Sequence, residues 1–202
     1  MFITFEGIDR SGKTTQAAML AEALGPGTLL LREPGGTDMA ERVRELLKDP
    51  ALEMGEAAEL LLFNAARSDL ANRVIKPARE AGRDIVCDRY IDSTAAYQGV
   101  ARGLGLDLVE ELSALVVGTC VPDATILLRV DPDAAQARGQ ARLAAGSEDG
   151  SDRFESEGIE FQRAVAAAYE EIAARHPERI VVLDGDGEPD AVHGRVLEAI
   201  GR

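Results

Sequence analysis

Residues Gly7-Ile8-Asp9-Arg10-Ser11-Gly12-Lys13-Thr14 match the spacing G-x-x-x-x-G-K-S/T and follow, after Glu6, the apolar run Met1-Phe2-Ile3-Thr4-Phe5. A strand feeding such a turn aims backbone N–H groups and the start of the next helix at one spot. That spot suits the β- and γ-phosphates of a nucleotide. Gly7 and Gly12 permit backbone conformations that a Cβ would obstruct. Lys13 supplies a point charge, and the Thr14 hydroxyl is the expected Mg²⁺ ligand. A Gly-rich turn can show this pattern by chance, but the strand before it and the amphipathic segment Ala17 to Leu24 after it supply the required context.

Further polar groups stand where a parallel sheet would collect them. In such a sheet ligands gather beyond the carboxyl ends of the strands. One short β-rich run ends in Arg32-Glu33-Pro34-Gly35-Gly36-Thr37 and another in Asp88-Arg89-Tyr90. Asp88 is placed to hold Mg²⁺ directly or through water, and Arg89 to grip a phosphate with its planar fork; a plain ion pair at a strand end is the alternative. Phe63 and Arg67 lie four residues apart, hence on one helix face, where a ring can stack on a planar base and a guanidinium can meet its edge. Ser93-Thr94-Ala95-Ala96-Tyr97-Gln98-Gly99 adds hydroxyl and amide groups that could read a pyrimidine and its sugar.

The elements that must position these groups alternate between strand and helix, the signature of a parallel sheet covered by helices. The pattern predicts strands over Phe2 to Glu6, Thr28 to Arg32, Asp84 to Asp88, Ala124 to Val130 and Arg179 to Leu183. It predicts helices near Lys13 to Leu24, Asp38 to Lys48, Gly55 to Ala81, Asp107 to Val117, Pro132 to Ala144, Ile159 to Arg175 and Pro189 to Ile200. The polar stretch Gly146 to Asp152 interrupts them. Its composition fits a solvated connector, while its place after Arg138 and Arg142 and before Arg153 favours a lid that keeps water from a transferring phosphoryl group.

Composition narrows the class of partner. The chain has 202 residues and a formal net charge of −14, which opposes nucleic acid or an anionic membrane. A small polyanion remains possible where the few cations converge. Cys87 and Cys120 stand in apolar surroundings and read as buried thiols, consistent with a reduced, cytoplasmic setting. The longest apolar region, Leu112 to Leu128, is broken by Pro122-Asp123 and does not read as a membrane span.

Taken in order, the phosphate loop, Arg32 to Thr37, Phe63-Asn64-Ala65-Ala66-Arg67, Asp88-Arg89-Tyr90, Ala96-Tyr97-Gln98-Gly99 and Asp152-Arg153-Phe154-Glu155 resemble the bacterial thymidylate kinases from the first strand to the last helix. The resemblance implies a P-loop NTPase-type α/β fold in three layers, with a five-stranded parallel sheet, helices on both faces and a short lid at about 145–157, in one domain over 1–202. It implies ATP and Mg²⁺ as requirements, dTMP as acceptor, dTDP as product, and a homodimer. Gly7 to Thr14 would hold the ATP phosphates. Asp9 would lie near the 3′-hydroxyl of dTMP, and Arg10 would match a loop arginine that neutralises the transferring group. Phe63 would stack on thymine, Arg67 would meet its exocyclic oxygen, and Thr94 and Gln98 would face the base. Tyr97 would crowd the sugar C2′ position. Arg89, with Arg32 and Arg44, would hold the acceptor phosphate, Arg138 would lie against adenine, and Arg153 would be the lid arginine.

Two departures from the family pattern stand out: Arg129 where relatives commonly carry Asp, and an acidic lid with Glu148, Asp149 and Asp152. Sequence leaves open whether Arg10 or Arg153 supplies more of the transition-state charge. A kinase for another nucleoside monophosphate or a deoxynucleoside is the nearest rival. A regulatory GTPase would need N-K-x-D, and the chain has no Asn-Lys pair.

Overall fold

The computed structural model describes residues 1–144, 153–154 and 157–201, with backbone alone at 142–144. Five parallel strands form one sheet: β1 (Phe2–Glu6), β2 (Leu29–Arg32), β3 (Ile85–Asp88), β4 (Ala124–Arg129) and β5 (Ile180–Asp184), in the order β2-β3-β1-β4-β5. The five strands and the α/β class agree with the sequence pattern, the ends differing by a residue. The predicted lid falls mostly outside the described residues, as do Glu148, Asp149 and Asp152.

Side-chain alternation along β1 divides the core into two layers. Ile3 and Phe5 pack on one face with Ala17 and Leu20 of α1 (Lys13–Leu24) and Val192 and Val196 of the C-terminal helix over Pro189–Ala199. Phe2 packs on the other, with Leu70, Ile75 and Tyr90. Thr4 and Glu6 share that second face and are fully buried, so one side of the sheet carries a polar seam. Thr4 and Thr125 bond hydroxyl to hydroxyl at 2.8 Å, and Arg179 closes the seam onto Asp92 at 2.7 Å.

Register brings the chemistry to one edge. Asp88 pairs across the sheet with Phe5 on one side and Arg32 on the other, so the loops leaving β1, β2 and β3 start level with one another. The polar helices then wall this edge. After β2 come α2 (Asp38–Lys48), capped by the Thr37 hydroxyl on the Ala40 amide at 3.1 Å, and α3 (Glu56–Leu70).

The long helix expected from Gly55 to Ala81 is continuous but widens. A π-helical turn over Ala71–Ile75 separates α3 from α4 (Lys76–Glu80), where Pro77 has no N–H to give an α-helical bond. A segment that the pattern did not list as helical follows β3: α5 (Ile91–Thr94) runs into a second π turn, Ala95–Ala101. Its composition mixes hydroxyls, Gly and small apolar residues, which blurs the 3.6-residue period. The remaining helices are α6 (Leu106–Val117), α7 (Pro132–Ala144), α8 (Gly158–Arg175) and α9, the C-terminal helix already given.

Candidate active site

The loop from Gly7 to Thr14 wraps the start of α1. Gly12 sits at the helix N-terminus with φ 94°, and among the described residues no side chain caps the first amides, which leaves them available to an anion. Gly7 has φ 139°, and a Cβ there would lie 2.6 Å from the Leu128 carbonyl oxygen, so the loop can hug β4 only with glycine. Ile8 and Ser11 are buried within the turn. Lys13 folds its ammonium onto the Ile8 carbonyl at 2.6 Å and the Ser11 hydroxyl at 3.3 Å.

Burial, with the Arg89 guanidinium as a second cause, lowers the Lys13 ammonium to about 8. An incoming polyphosphate favours the charged form and so restores the proton. Polyphosphate binding should therefore take up a proton above about pH 8, and affinity should fall about tenfold per pH unit from there. Calorimetric titrations in buffers of different ionisation enthalpy would measure this. A pH-independent affinity across that range would contradict it.

Asp88 fits a cation site on its own geometry. The Thr14 hydroxyl donates to Oδ2 at 2.5 Å, while Oδ1 is buried and has no hydrogen-bond partner among the described residues. A buried carboxylate oxygen left open beside a hydroxyl and the phosphate loop is the donor set a hard divalent cation takes.

Arg89 is the hub of the cleft. Its guanidinium bonds Asp9 at 2.5 Å, Ser93 at 3.0 Å, the Gly7 carbonyl at 3.2 Å and the Tyr97 hydroxyl at 3.3 Å, and it stands 5.1 Å from the Tyr97 ring centroid. Burial alone would push the Asp9 carboxyl up, but Arg89, Lys13 and Gln162 together hold it below the usual carboxylate range. Gln162 reaches Asp9 from α8 at 2.8 Å. Behind Arg89, Glu6 accepts from the Tyr90 amide, the Ser93 hydroxyl and the Tyr169 hydroxyl at 2.7, 2.6 and 2.9 Å. Burial and the nearby Asp92 raise its carboxyl. Glu6, Gln162 and Tyr169 were not singled out by sequence; an acidic residue closing an apolar strand just before the glycine loop was the available signal for Glu6.

The far end of the cleft is built around Arg67. Its side chain is buried and paired with buried Glu33 at 2.7 Å, and it also donates to the Tyr90 carbonyl at 3.0 Å and the Thr94 hydroxyl at 2.8 Å. Burial, partly offset by Arg67, raises the Glu33 carboxyl to about 7. Nη1 of Arg67 is buried without a hydrogen-bond partner among the described residues, in a side chain that lines the cleft. Phe63 lines the same cleft and meets Phe154 edge-on at 5.7 Å.

A carboxylate that sequence reasoning missed lies one helical turn before Phe63 on the same face of α3. Glu59, fully buried on α3, accepts from Gln98 Nε2 at 2.7 Å and Arg102 at 3.3 Å. A carboxylate only accepts, so Gln98 must turn its amide nitrogen to Glu59, leaving its carbonyl oxygen as the remaining polar group. The Arg153 guanidinium also pairs with Glu59, donates to the Leu47 carbonyl at 3.2 Å and lies 4.8 Å from the Phe154 ring centroid.

Most residues expected at the site come together in one cleft of about 360 Å³. It is lined by Asp9, Arg10, Lys13, Thr14, Arg32, Arg44, Phe63, Arg67, Asp88, Arg89, Thr94, Tyr97 and Gln98. Arg32 and Arg44 share the Pro34 carbonyl at 3.1 and 2.9 Å, which fixes both guanidinium groups on one rim. Two residues stand elsewhere. Arg153 is drawn by Glu59 to the Phe63 end rather than to the phosphate loop. Arg138 stands outside the cleft, paired with Asp186 of the loop after β5 at 2.5 Å. Arg129, whose part sequence left undecided, forms an exposed two-pronged pair with Glu170 at 2.6 Å.

A glycine-rich loop after β1, a second carboxylate at the end of the neighbouring strand and a cationic cleft between them define a P-loop NTPase-type phosphotransferase. The sequence model described as Thymidylate kinase matches residues 5–196. Relatives include the thymidylate kinase of Prosthecochloris aestuarii, 43% identical over 206 residues, covering 99% of this chain and 92% of that protein. The thymidylate kinase of Syntrophotalea carbinolica is 44% identical over 201 residues, covering 96% and 92%. The crystal structure of thymidylate kinase from Ehrlichia chaffeensis aligns with a TM-score of 0.80 at 35% identity, covering 100% of this chain and 98% of that one. The chain belongs to the thymidylate kinase family.

Proposed function

We propose that the chain transfers the γ-phosphoryl group of ATP to the 5′-phosphate of dTMP, giving dTDP and ADP, with Mg²⁺ held by Thr14 and Asp88. The observation that carries the base assignment is the pair of polar atoms facing the Phe63 end: an Arg67 donor with no partner among the described residues and a Gln98 acceptor fixed by Glu59. Thymine offers the complementary edge, an exocyclic oxygen beside an N–H. Cytosine offers the reverse and would leave both protein groups unpaired, a cost of about 1–3 kcal/mol for each.

Transfer itself needs little from the protein beyond position and charge. The acceptor phosphate is largely dianionic at neutral pH, because its second pKa is about 6, so one of its oxygens can attack without a strong general base. The bond to the γ-phosphorus forms from that oxygen as the bond to the β,γ-bridging oxygen breaks, and the electron pair leaves on ADP. In this reading Arg89, with Arg32 and Arg44, holds the acceptor phosphate. The amides from Gly7 to Thr14 and Lys13 hold the donor, and Arg10 stabilises the group in flight. Bound Mg²⁺ would supply charge neutralisation on the donor phosphates. Arg138 is proposed to border the adenine, with α7 and the Asp186 loop forming that side. Tyr97, pinned by Arg89 and meeting Phe161 edge-on at 5.9 Å, is proposed to exclude a 2′-hydroxyl.

A coupled ADP assay across dTMP, dUMP, dCMP and the ribonucleotide of thymine tests this assignment. The expected order places dTMP first, dUMP lower by about 1–3 kcal/mol for the missing methyl, and dCMP far below. Equal turnover of dCMP and dTMP would refute the base reading.

The enzyme is also proposed to be a cytoplasmic homodimer. Both cysteines are buried free thiols, which suits a reducing compartment. Among the described residues no helix is long and apolar enough to cross a membrane. On the packed pair α3 and α6, Leu61, Leu108 and Leu115 are 60%, 56% and 81% exposed, an apolar face of the kind a second copy covers. Leu115→Glu should shift the sedimenting species from dimer to monomer; an unchanged sedimentation coefficient would place the interface elsewhere.

A further inference from the structure

Gly139 stands within α7, in the alanine-rich run Ala134 to Ala141. Glycine there weakens a helix relative to alanine, so nothing local favours it. What the position does is accommodate Arg10. A Cβ built on Gly139 would overlap Cδ, Nε and Cζ of the Arg10 side chain, which crosses from the phosphate loop onto this turn of α7. Arg10 leaves its loop with φ 63°; it and Arg89 are the two non-glycine residues with left-handed backbone among those described, and both line the cleft. Such a conformation is disfavoured for a residue with a side chain and persists where the surroundings enforce it.

We infer that Gly139 is a positioning residue: its missing side chain leaves a hollow on α7 that seats the Arg10 guanidinium over the phosphate loop. This rests on the reading of Arg10 as the arginine that stabilises the transferring group. The clash is with the far part of a flexible side chain, so Gly139→Ala should displace Arg10 rather than unfold α7. The melting temperature should hold or rise, the KM for dTMP should stay unchanged, and kcat should fall roughly 10²-fold, the scale of an ångström's misplacement of a catalytic group.

The test is a double-mutant cycle of Gly139→Ala with Arg10→Ala, read as kcat at saturating ATP alongside thermal melting. The expected result is that Gly139→Ala lowers kcat in the parent and has no further effect when Arg10 is already alanine. Loss of kcat in Arg10→Ala with parental kcat in Gly139→Ala would overturn the seat alone. An equal fall in both backgrounds would also overturn it, since the effect would not pass through Arg10. Parental kcat in Arg10→Ala would remove the underlying reading and the seat with it.

Discussion

Arg10→Ala lowers kcat by about 10³- to 10⁵-fold while the KM for dTMP changes little; this is the expected result of removing an arginine that meets charge only as it develops on the transferring group. The geometry separates the two effects. Arg10 lines the cleft with Lys13, Thr14 and Asp88 at the loop end, whereas Phe63, Arg67 and Gln98 stand at the other. Its rival, Arg153, is committed to Glu59, so Arg153→Ala should change the KM for dTMP more than kcat. Steady-state kinetics of both variants decide between them. A fall in kcat that is larger for Arg153→Ala than for Arg10→Ala would reverse the assignment.

Glu33→Ala is expected to be the most damaging change outside the phosphate loop. Glu33 and Arg67 are both buried and 2.7 Å apart. Breaking such a pair leaves a desolvated guanidinium, a loss of about 3–5 kcal/mol. For a chain of this size that is a drop of roughly 6–20 °C in Tm. Arg67 would also lose the partner that fixes its plane beside Tyr90 and Thr94, so the KM for dTMP should rise together with the loss of stability. Thermal melting with and without dTMP measures both. A variant that melts like the parent would show that the pair contributes nothing net.

Much of this arrangement was legible in the chain because its signals are local. The phosphate loop, the strand ends at Arg32 and Asp88, and the Phe63/Arg67 pair are short-range patterns whose chemistry survives without knowing the sheet order. The partners of those residues were not legible. Glu33 meets Arg67 across 34 residues and Glu59 meets Arg153 across 94, and no periodicity marks which carboxylate is buried with which arginine. The π turn holding Tyr97 and Gln98 was hidden for another reason: its seven residues bond in a spacing that a 3.6-residue pattern does not test. Gly139 reads in sequence as a mere weak point of a helix. Its role comes from a side chain 129 positions earlier.

The most direct measurement follows phosphorus itself. ATP labelled at the γ-position is incubated with Mg²⁺, dTMP and the purified chain, and the nucleotides are separated. The expected result is label in dTDP matched one for one by ADP. Label that stays in ATP, or appears only as inorganic phosphate while ATP binds normally, would contradict transfer to dTMP.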